Sequence, residues 1–388
     1  MSRLVIALLL VAAAPAGWAG GPGTTGAASL KVPSGARPAA MGDAFVGLAD
    51  DANSLFWNPA GLALVEARQV SLMHTQYLVD TSYQFLGYAQ PLALPFLKGG
   101  MAVAVNTLSY GDMKLTGEDG SGLYGGVTGS QAPREWFVSG GWGSALPSLF
   151  GLDRIKGGAA VKMTFQPVSY GSLIGAGASA GALWDAPVPG LRVGTLVDNL
   201  GALTDGTNLL PISWRLGGSW NRGFGAVEVT GAADGQLSVD IGMRYDAGLE
   251  VTAYRILALR AGWRGGEGAT GPTFGVGVRD PGGFLPGRAR LSLDYALSSY
   301  GELGNAHRGQ LTVAFGGGRS AAEKADDEGP PADWRKKLTP VRRAGAAKKP
   351  VKAPESAPAP AAEPAPAPEP AVKKDFREPV EVLPRPAE

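Results

Sequence analysis

Residues 291–297 read Leu-Ser-Leu-Asp-Tyr-Ala-Leu, so that an apolar side chain alternates with a small or polar one. Residues 310–315, which read Gln-Leu-Thr-Val-Ala-Phe, repeat the pattern, as do residues 212–217, 257–264 and 274–279. Alternation with a period of two places successive side chains on opposite faces of a β-strand. The pattern therefore predicts strands with one apolar face and one face of small, polar or charged residues.

The length and number of these segments indicate a membrane barrel. We count about fourteen candidate strands between residues 67 and 316, most of them about 9 to 13 residues long, as transmembrane strands require, whereas soluble strands commonly have about five or six. Strands can cross lipid only as a closed barrel, because every backbone hydrogen bond must be satisfied. We therefore predict an all-β membrane protein, a closed antiparallel transmembrane β-barrel. A soluble β-sandwich is the alternative, but its polar face should be richer in Lys and Glu.

Aromatic residues and breaks complete this picture. Tryptophan and tyrosine fall near strand ends, as interface girdles would place them, although core packing is an alternative. These aromatic residues include Trp136, Trp184, Trp220, Trp263, Tyr295 and Tyr300. Residues 117–129 and 200–210 read as longer loops.

Composition excludes several classes of protein. The formal net charge is +1, which gives no reason to expect a nucleic-acid partner. The chain has no cysteine, so disulfides, thiolate zinc sites and thiol nucleophiles are excluded. Charged residues make up only 18% of the chain, while glycine occurs 59 times. Glycine suits closely packed, curved strands.

Two terminal segments differ from the barrel. Residues 1–19 are typical of an export signal, with Arg3 before an apolar run and small residues at a cleavage point. Residues 317–388 are dominated by Pro, Ala, Lys and Glu, which predicts a disordered tail. An even strand number returns the chain to the periplasm, so we expect an outer-membrane protein with a periplasmic tail.

Residues 33–62 carry a family resemblance. They read PSGARPAAMGDAFVGLADDANSLFWNPAGL, which resembles the N-terminal signature of PorV/PorQ-type outer-membrane proteins, a group among the FadL-like barrels. Residues 191–201, 257–263 and 294–308 resemble later parts of that pattern, in the same order. The Pro/Ala-rich tail is not part of it.

The resemblance implies a fourteen-stranded barrel whose lumen holds an N-terminal hatch, or plug, here residues 20–66. It also implies two kinds of function. PorV-like relatives act beside a secretion machine and receive exported proteins at the outer membrane. FadL-like relatives pass hydrophobic molecules through a lateral opening in the barrel wall.

Residues 58–62, Asn-Pro-Ala-Gly-Leu, form the best single landmark of the hatch. Pro59 fixes φ, Gly61 permits unusual backbone angles, and Asn58 can bond nearby backbone, so the motif suits a rigid turn. A structural turn is the favoured interpretation, and a gate or ligand contact is the alternative.

Charged residues in the hatch and wall form a second candidate site. Asp50, Asp51 and Asn53 lie in an otherwise apolar stretch. We predict that the hatch carboxylates pair with wall arginines, because paired charges fill a lumen without leaving a buried ion alone. A basic lumen that binds substrate is the alternative. The candidate lumen charges are Arg192, Arg215, Arg260, Arg264, Arg279 and Asp294.

No residue pattern indicates catalysis, a metal or a cofactor. His74 and His307 are far apart and read as rim or lumen residues, and residues 275–279 lack the helix of a nucleotide loop. We therefore predict a non-enzymatic protein with outer-membrane lipid as a partner. The first hypothesis is an accessory in protein secretion or surface assembly that contacts exported proteins. The alternatives are a channel for hydrophobic ligands, and a tether that joins the outer membrane to a periplasmic partner through the tail.

Overall fold

The computed structural model describes residues 21, 23–93, 98–148, 154–168, 171–205, 208–268, 270–280 and 289–316. Within these residues, fourteen strands close into one barrel, in which each strand pairs antiparallel with its two neighbours. The first strand, β1 (Arg68–Gln76), pairs with the last strand, β16 (Asn305–Phe315), and completes the ring. The prediction of a closed antiparallel fourteen-stranded barrel is confirmed.

The strands include the alternating segments to within one residue and extend beyond several of them, since the strand that begins in residues 212–217 continues to Phe224 and the last strand begins at Asn305. The first half comprises β1 (Arg68–Gln76), β2 (Ser82–Ala93), β3 (Lys98–Ser109), β4 (Met113–Glu118), β5 (Tyr124–Gln131), β6 (Arg134–Ala145), β7 (Ile155–Val168) and β8 (Gly171–Asp185). The second half comprises β9 (Leu191–Leu203), β10 (Ser213–Phe224), β11 (Val227–Ser238), β12 (Gly242–Ala253), β13 (Leu257–Gly266), β14 (Gly271–Arg279), β15 (Arg290–Ser299) and β16 (Asn305–Phe315).

Burial alternates along these strands with the predicted parity. In β13, Leu259 and Trp263 are exposed on the outer surface, whereas Arg260 and Arg264 are buried inside. In β15, Leu293 and Tyr295 are likewise exposed. These strands therefore present apolar side chains outward and polar or small side chains inward, as predicted. Strands β1, β2, β3 and β6 depart from the prediction, because large apolar side chains such as Met73, Phe85 and Phe137 also face inward there.

The two ends of the barrel differ. We call the end where β1 begins and β16 ends the terminal end, and the opposite end the hairpin end. Strands β4 and β5 lie between β3 and β6 at the hairpin end, where they pair with each other in a separate two-stranded sheet. The prediction that residues 117–129 form a loop is therefore wrong, because the segment is the tip and arms of a hairpin. The predicted loop at 200–210 begins too early, since β9 continues to Leu203.

Residues 23–67 precede the barrel strands and pack against their inward faces. Their helical turns are η1 (Ala28–Lys31), α1 (Ala36–Ala40), α2 (Ser54–Trp57) and η2 (Pro59–Leu64), and a further turn, η3 (Gly301–Leu303), joins β15 to β16. We call residues 23–67 the N-terminal segment. Turn η2 contacts β3, β6, β7 and β8, while α1 contacts β13 to β16. The segment therefore touches opposite sides of the inner wall. Among the described residues, no helix is long and apolar enough to cross a membrane.

Candidate functional site

Asn58 fixes the N-terminal segment to itself and to the wall. Its side-chain oxygen accepts a hydrogen bond from the amide of Ala60 at 3.1 Å, which caps η2. Its side-chain amide donates to the carbonyl oxygens of Val46 at 3.0 Å and Ala182 at 3.1 Å. Pro59 opens the turn, and a Cβ at Gly61 would collide with the carbonyl of Ala49. These contacts support the structural interpretation of the motif.

A cluster of charges, which we call the anchor, joins the N-terminal segment to β12, β13 and β15. The Arg37 guanidinium donates two hydrogen bonds of 3.0 Å to the Glu250 carboxylate. Arg260 donates to Glu250 at 2.5 Å and to Asp294 at 2.6 Å. The side chains of Arg260 and Glu250 are almost fully buried. Because each buried charge has an opposite partner, the anchor avoids the cost of an isolated buried ion.

The anchor pairs charges in the opposite way to the prediction, because an arginine of the N-terminal segment meets a carboxylate of the wall. Asp50 pairs with Arg37 of its own segment at 2.7 Å, and Asp51 accepts hydrogen bonds from Asn53. The wall arginine Arg260 is paired by wall carboxylates instead. The segment therefore contributes the cation of this contact, and sequence reasoning missed Arg37 because it looked only for carboxylates.

A hatch carboxylate does meet wall arginines at another position. Asp43 lies 3.5 Å from Arg244 and 4.0 Å from Arg264. Arg264 also stacks on the ring of Tyr300, with 4.0 Å between the guanidinium carbon and the ring centroid. Tyr300 is buried inside the barrel, so it does not belong to an outer aromatic girdle.

Of the other predicted lumen charges, Arg279 lies beside the anchor, whereas Arg192 and Arg215 lie elsewhere in the lumen. Arg192 pairs with Asp185 near the terminal end, at 2.8 Å. Arg215 stacks over Trp57, with 5.2 Å between the guanidinium carbon and the ring centroid. Arg279 lies 3.7 Å from Glu250.

Two carboxyl groups outside the barrel strands have shifted pKa values. Burial and the neighbouring Asp50 carboxylate raise the pKa of Asp51 to about 6, although Arg37 and Asn53 oppose the shift. Burial also acts on Asp240, in the β11–β12 turn, but hydrogen bonds from Lys31 and Thr25 lower its pKa below the ordinary value. The Lys31–Asp240 pair, 2.7 Å long, makes a second ionic contact at the hairpin end.

The opposite side of the lumen is mainly apolar, although the buried Lys162–Asp198 ion pair and the Asn106 amide, which donates to Ser34 and Tyr83, also lie there. We call the apolar contact on this side the seam. It joins side chains of the N-terminal segment to the inner faces of β1, β2, β3, β6, β7 and β9. Its larger members from the segment are Leu30, Val32, Leu55, Leu62 and Val65, and its larger members from the wall are Met73, Tyr83, Phe85, Leu108, Phe137 and Leu203. The seam runs from Ala89 and Ala102 near the terminal end to Leu108 and Leu203 at the hairpin end.

A cavity of about 1180 Å³ opens below the anchor at the terminal end. Charged side chains of both signs line it, among them Arg37, Asp50, Asp51, Arg192, Glu250 and Arg279. The mixture of charges gives this vestibule no strong preference for anions or cations.

The two histidines lie on the outer surface of the barrel. His74 is exposed on β1, and His307 on β16 bonds the hydroxyl of Tyr295 at 2.7 Å. Residues 275–279 are part of β14, without a following helix. In the part of the chain that the structure describes, no group of three or more His, Cys, Asp or Glu side chains could hold a metal ion.

Two predicted segments lie outside the described residues. They are the export signal at 1–19 and the Pro/Ala-rich tail at 317–388, so both predictions stand as they were.

Comparison with known proteins gives a partial family match. The model of an uncharacterised protein family, UPF0164, matches residues 11–109, about a quarter of the chain. The match covers the N-terminal segment and ends where β3 ends. No curated protein matches the sequence. The resemblance to PorV/PorQ-type proteins therefore stays a prediction.

Solved barrels share the general form of this structure. The toluene transporter TbuX of Ralstonia pickettii has a TM-score of 0.45 and 12% identity, covering 72% of this chain and 97% of its own. The CymD monoaromatic hydrocarbon channel has a TM-score of 0.43 and 11% identity, covering 72% and 96%. The outer membrane protein Omp33 of Acinetobacter baumannii has a TM-score of 0.37 and 12% identity, covering 65% and 99%. Similarities this weak say nothing about function. The chain is a closed fourteen-stranded antiparallel barrel, and its role must be inferred from its own residues.

Proposed function

We propose that this protein is a non-enzymatic outer-membrane channel for hydrophobic small molecules, with the N-terminal segment as its plug. The observation that carries the proposal is the seam, an apolar contact that follows the inner wall from one end of the barrel to the other. Ligand sites for hydrophobic molecules are lined mainly by apolar and aromatic side chains. The seam would offer such a lining, with the hydrogen-bonded groups of Ser34, Tyr83 and Asn106 as polar points within it.

The outward face of the barrel supports insertion into a membrane. Leucine, valine and aromatic side chains that alternate with buried residues are exposed all around the wall, for example Leu72, Met163, Leu249 and Leu293. An apolar band of this kind suits lipid and would be costly in water. With an even number of strands, both termini of the barrel lie at the same end, which we assign to the periplasm.

The lumen has two sides, and they resist opening to different degrees. Separating Arg37 from Glu250 would break a buried ion pair with two hydrogen bonds and leave Arg37 with the more exposed Asp50, at a cost of about 3–5 kcal/mol. Separating Leu55 or Leu62 from the wall exposes apolar surface, but a hydrophobic ligand covers that surface again as it enters. We therefore propose that a ligand opens the seam while the anchor keeps the segment attached to the opposite wall.

The test is uptake by cells whose outer membrane has no other hydrophobe channel. We expect the protein to accelerate uptake of a monoaromatic hydrocarbon or a long-chain fatty acid, and not of a sugar. Phe137→Ala should accelerate hydrophobe uptake further, because Phe137 is buried in the seam and packs beside Tyr83. Phe274→Ala is the matched control, since Phe274 is exposed on the outer surface. Equal uptake of sugar and hydrophobe would identify a general porin and contradict the proposal.

The β4–β5 hairpin favours a second candidate function, an accessory that contacts exported proteins. Leu123 and Tyr124 at its tip are 66% and 70% exposed, and Met113, Leu115 and Val127 are also exposed. Apolar side chains grouped at a protruding hairpin are suited to a partner. Replacing residues 113–131 by a short Gly-Ser linker should remove exported proteins that co-purify with the barrel. If those proteins are retained, this role of the hairpin is excluded.

A further inference from the structure

The outer wall of the barrel carries an apolar groove, a cavity of about 820 Å³. Outward-facing residues of β14, β15, β16, β1, β2, β3 and β6 all line it, and these are consecutive strands around the barrel. The groove is centred where β1 meets β16, and its outward-facing lining side chains face away from the lumen.

Strand register arranges the lining of the groove in two rows. The row nearer the terminal end, which we call the aliphatic row, pairs side chains directly across six strands. It consists of Val278, Leu293, Leu311, Leu72, Leu86 and Val105. The row nearer the hairpin end, which we call the girdle row, also follows cross-strand pairs. It includes Tyr295, Gly309, His74, Gln84, Thr107 and Trp136.

Gly309 opens a slot in the girdle row. A Cβ at this position would meet no atom within 4 Å, although Tyr295 and His74 are its cross-strand neighbours. The Tyr295 hydroxyl bonds His307, which lies two residues before Gly309 on β16, so its ring leans toward the hairpin end. The slot therefore stays uncovered and continues into the aliphatic row.

The polar side chains that face outward into the groove lie at its girdle end, whereas the Asp294 and Gln310 side chains, which also belong to the lining, are bonded on the lumen side. Thr107 donates a hydrogen bond of 2.5 Å to Gln84, which donates one of 3.0 Å to Ser82. Trp136 and Tyr295 stand at the same level, where aromatic residues of membrane barrels meet the lipid headgroups. The groove therefore matches a molecule with a polar group at the hairpin end and an aliphatic chain toward the middle of the wall.

We propose that this groove binds one acyl chain of a membrane lipid from the leaflet at the hairpin end. The inference rests on the proposed membrane insertion and not on the proposed transport. Water finds no polar partner along the aliphatic row, and an empty cavity forfeits its dispersion contacts. A second copy of the barrel fits poorly, because a two-fold interface centred on a concave surface would place groove against groove. A flexible acyl chain fills such a shape.

Gly309→Phe tests the site by filling the slot. The strand backbone accepts the side chain, because a Cβ there meets no neighbour. Gly231→Phe is the matched control, since Gly231 also faces outward, on β11, and its Cβ would also meet no atom within 4 Å. Each variant and the unchanged protein would first be placed in nanodiscs of palmitoyl-oleoyl phosphatidylethanolamine and phosphatidylglycerol. The protein would then be released from the nanodiscs, and the lipid molecules that remain bound to it would be counted by native mass spectrometry.

We expect one retained lipid on the unchanged protein and on Gly231→Phe, and about tenfold less on Gly309→Phe, since the ring displaces about two methylene groups. Equal retention by both variants, or no retention by the unchanged protein, would overturn the proposal.

A dimer that Gly309→Phe dissociates would overturn it in favour of a second copy. Loss of hydrophobe uptake in Gly309→Phe would also overturn it, because the groove would then hold the transported molecule. If the unchanged protein transports no hydrophobe, only the transport proposal fails.

Discussion

Glu250 concentrates the charges of the anchor on one side chain. It accepts hydrogen bonds from Arg37 and Arg260 and lies 3.7 Å from Arg279. Glu250→Gln should therefore leave buried guanidinium groups without a full counter-charge, at a cost of about 3–5 kcal/mol. We expect a lower unfolding temperature in detergent and a larger leak conductance in planar bilayers, because Arg37 loses its contact with the wall.

Two further carboxylate variants serve as controls for Glu250→Gln. Asp50→Asn should have a smaller effect, about 0–1 kcal/mol, because the Asp50 side chain is 35% exposed and solvent screens its pair with Arg37. Glu228→Gln should change neither measurement, since Glu228 only bonds Asn221 at an exposed position. A Glu250→Gln variant that behaves like Glu228→Gln would show that the anchor does not hold the segment.

Asp51 should make stability depend on pH. Its folded pKa, about 6, lies above the ordinary value of an aspartate, so the folded protein holds a proton that the unfolded chain releases. This contribution is present in full below about pH 4 and is lost as the pH rises through 6. Asp51→Asn removes this term and keeps an acceptor for the amide of Asn53.

The measurement is the unfolding temperature at pH 5 and at pH 7.5. We expect the unchanged protein to lose about 1–2 kcal/mol more than Asp51→Asn between the two values. Carboxylates distant from Asp51 affect both proteins equally, so the difference reports Asp51 together with its neighbour Asp50. Parallel pH profiles would refute the assignment.

At the scale of elements, two glycines let the N-terminal segment approach the wall. Gly248 on β12 and Gly262 on β13 are direct cross-strand partners, and a Cβ on either would collide with the backbone of Met41 or Gly42. Gly248→Val should push the end of α1 away from the wall. We expect a larger leak conductance and lower thermal stability, by about 1–3 kcal/mol as for other overpacked sites. Gly231→Val, on the outer face of β11, should change neither property.

Alternation predicted the strands well because it is a local signal. The parity of Leu291–Leu297 and of residues 257–264 is the parity that the structure has, since each lumen or outer position follows from its two neighbours in sequence. The β4–β5 hairpin was missed because residues 113–131 pair with each other outside the barrel and bury neither face, so no alternation marks them. Tyr300 was misplaced for a related reason: it follows β15, where strand parity no longer applies.

Contacts across the whole molecule could not be predicted in this way. The partner of Arg37 lies 213 residues away, on β12, and nothing in the sequence around either residue identifies the other. The groove at the β1–β16 junction is lined by residues of seven strands, which come from both ends of the sequence. Only the closed structure reveals that the charges of the anchor gather on one side of the lumen and most large apolar side chains on the other.

This two-sided lumen leads to a prediction for the entire molecule. If the N-terminal segment is the plug, removing residues 24–64 and keeping all barrel strands should leave a water-filled passage, because the segment alone fills the space between seam and anchor. The variant should then show large, stable conductance and should admit sugars as readily as hydrocarbons. Removing the β4–β5 hairpin instead should change neither property, since β4 and β5 lie outside the barrel. Heat-dependent electrophoretic mobility would verify that each barrel has folded.

Two outcomes would contradict the plug. A folded deletion variant that conducts no current would mean that the wall itself closes the lumen. A deletion variant that conducts ions but still rejects sugars would assign the selectivity to the wall of β1–β3 and not to the segment.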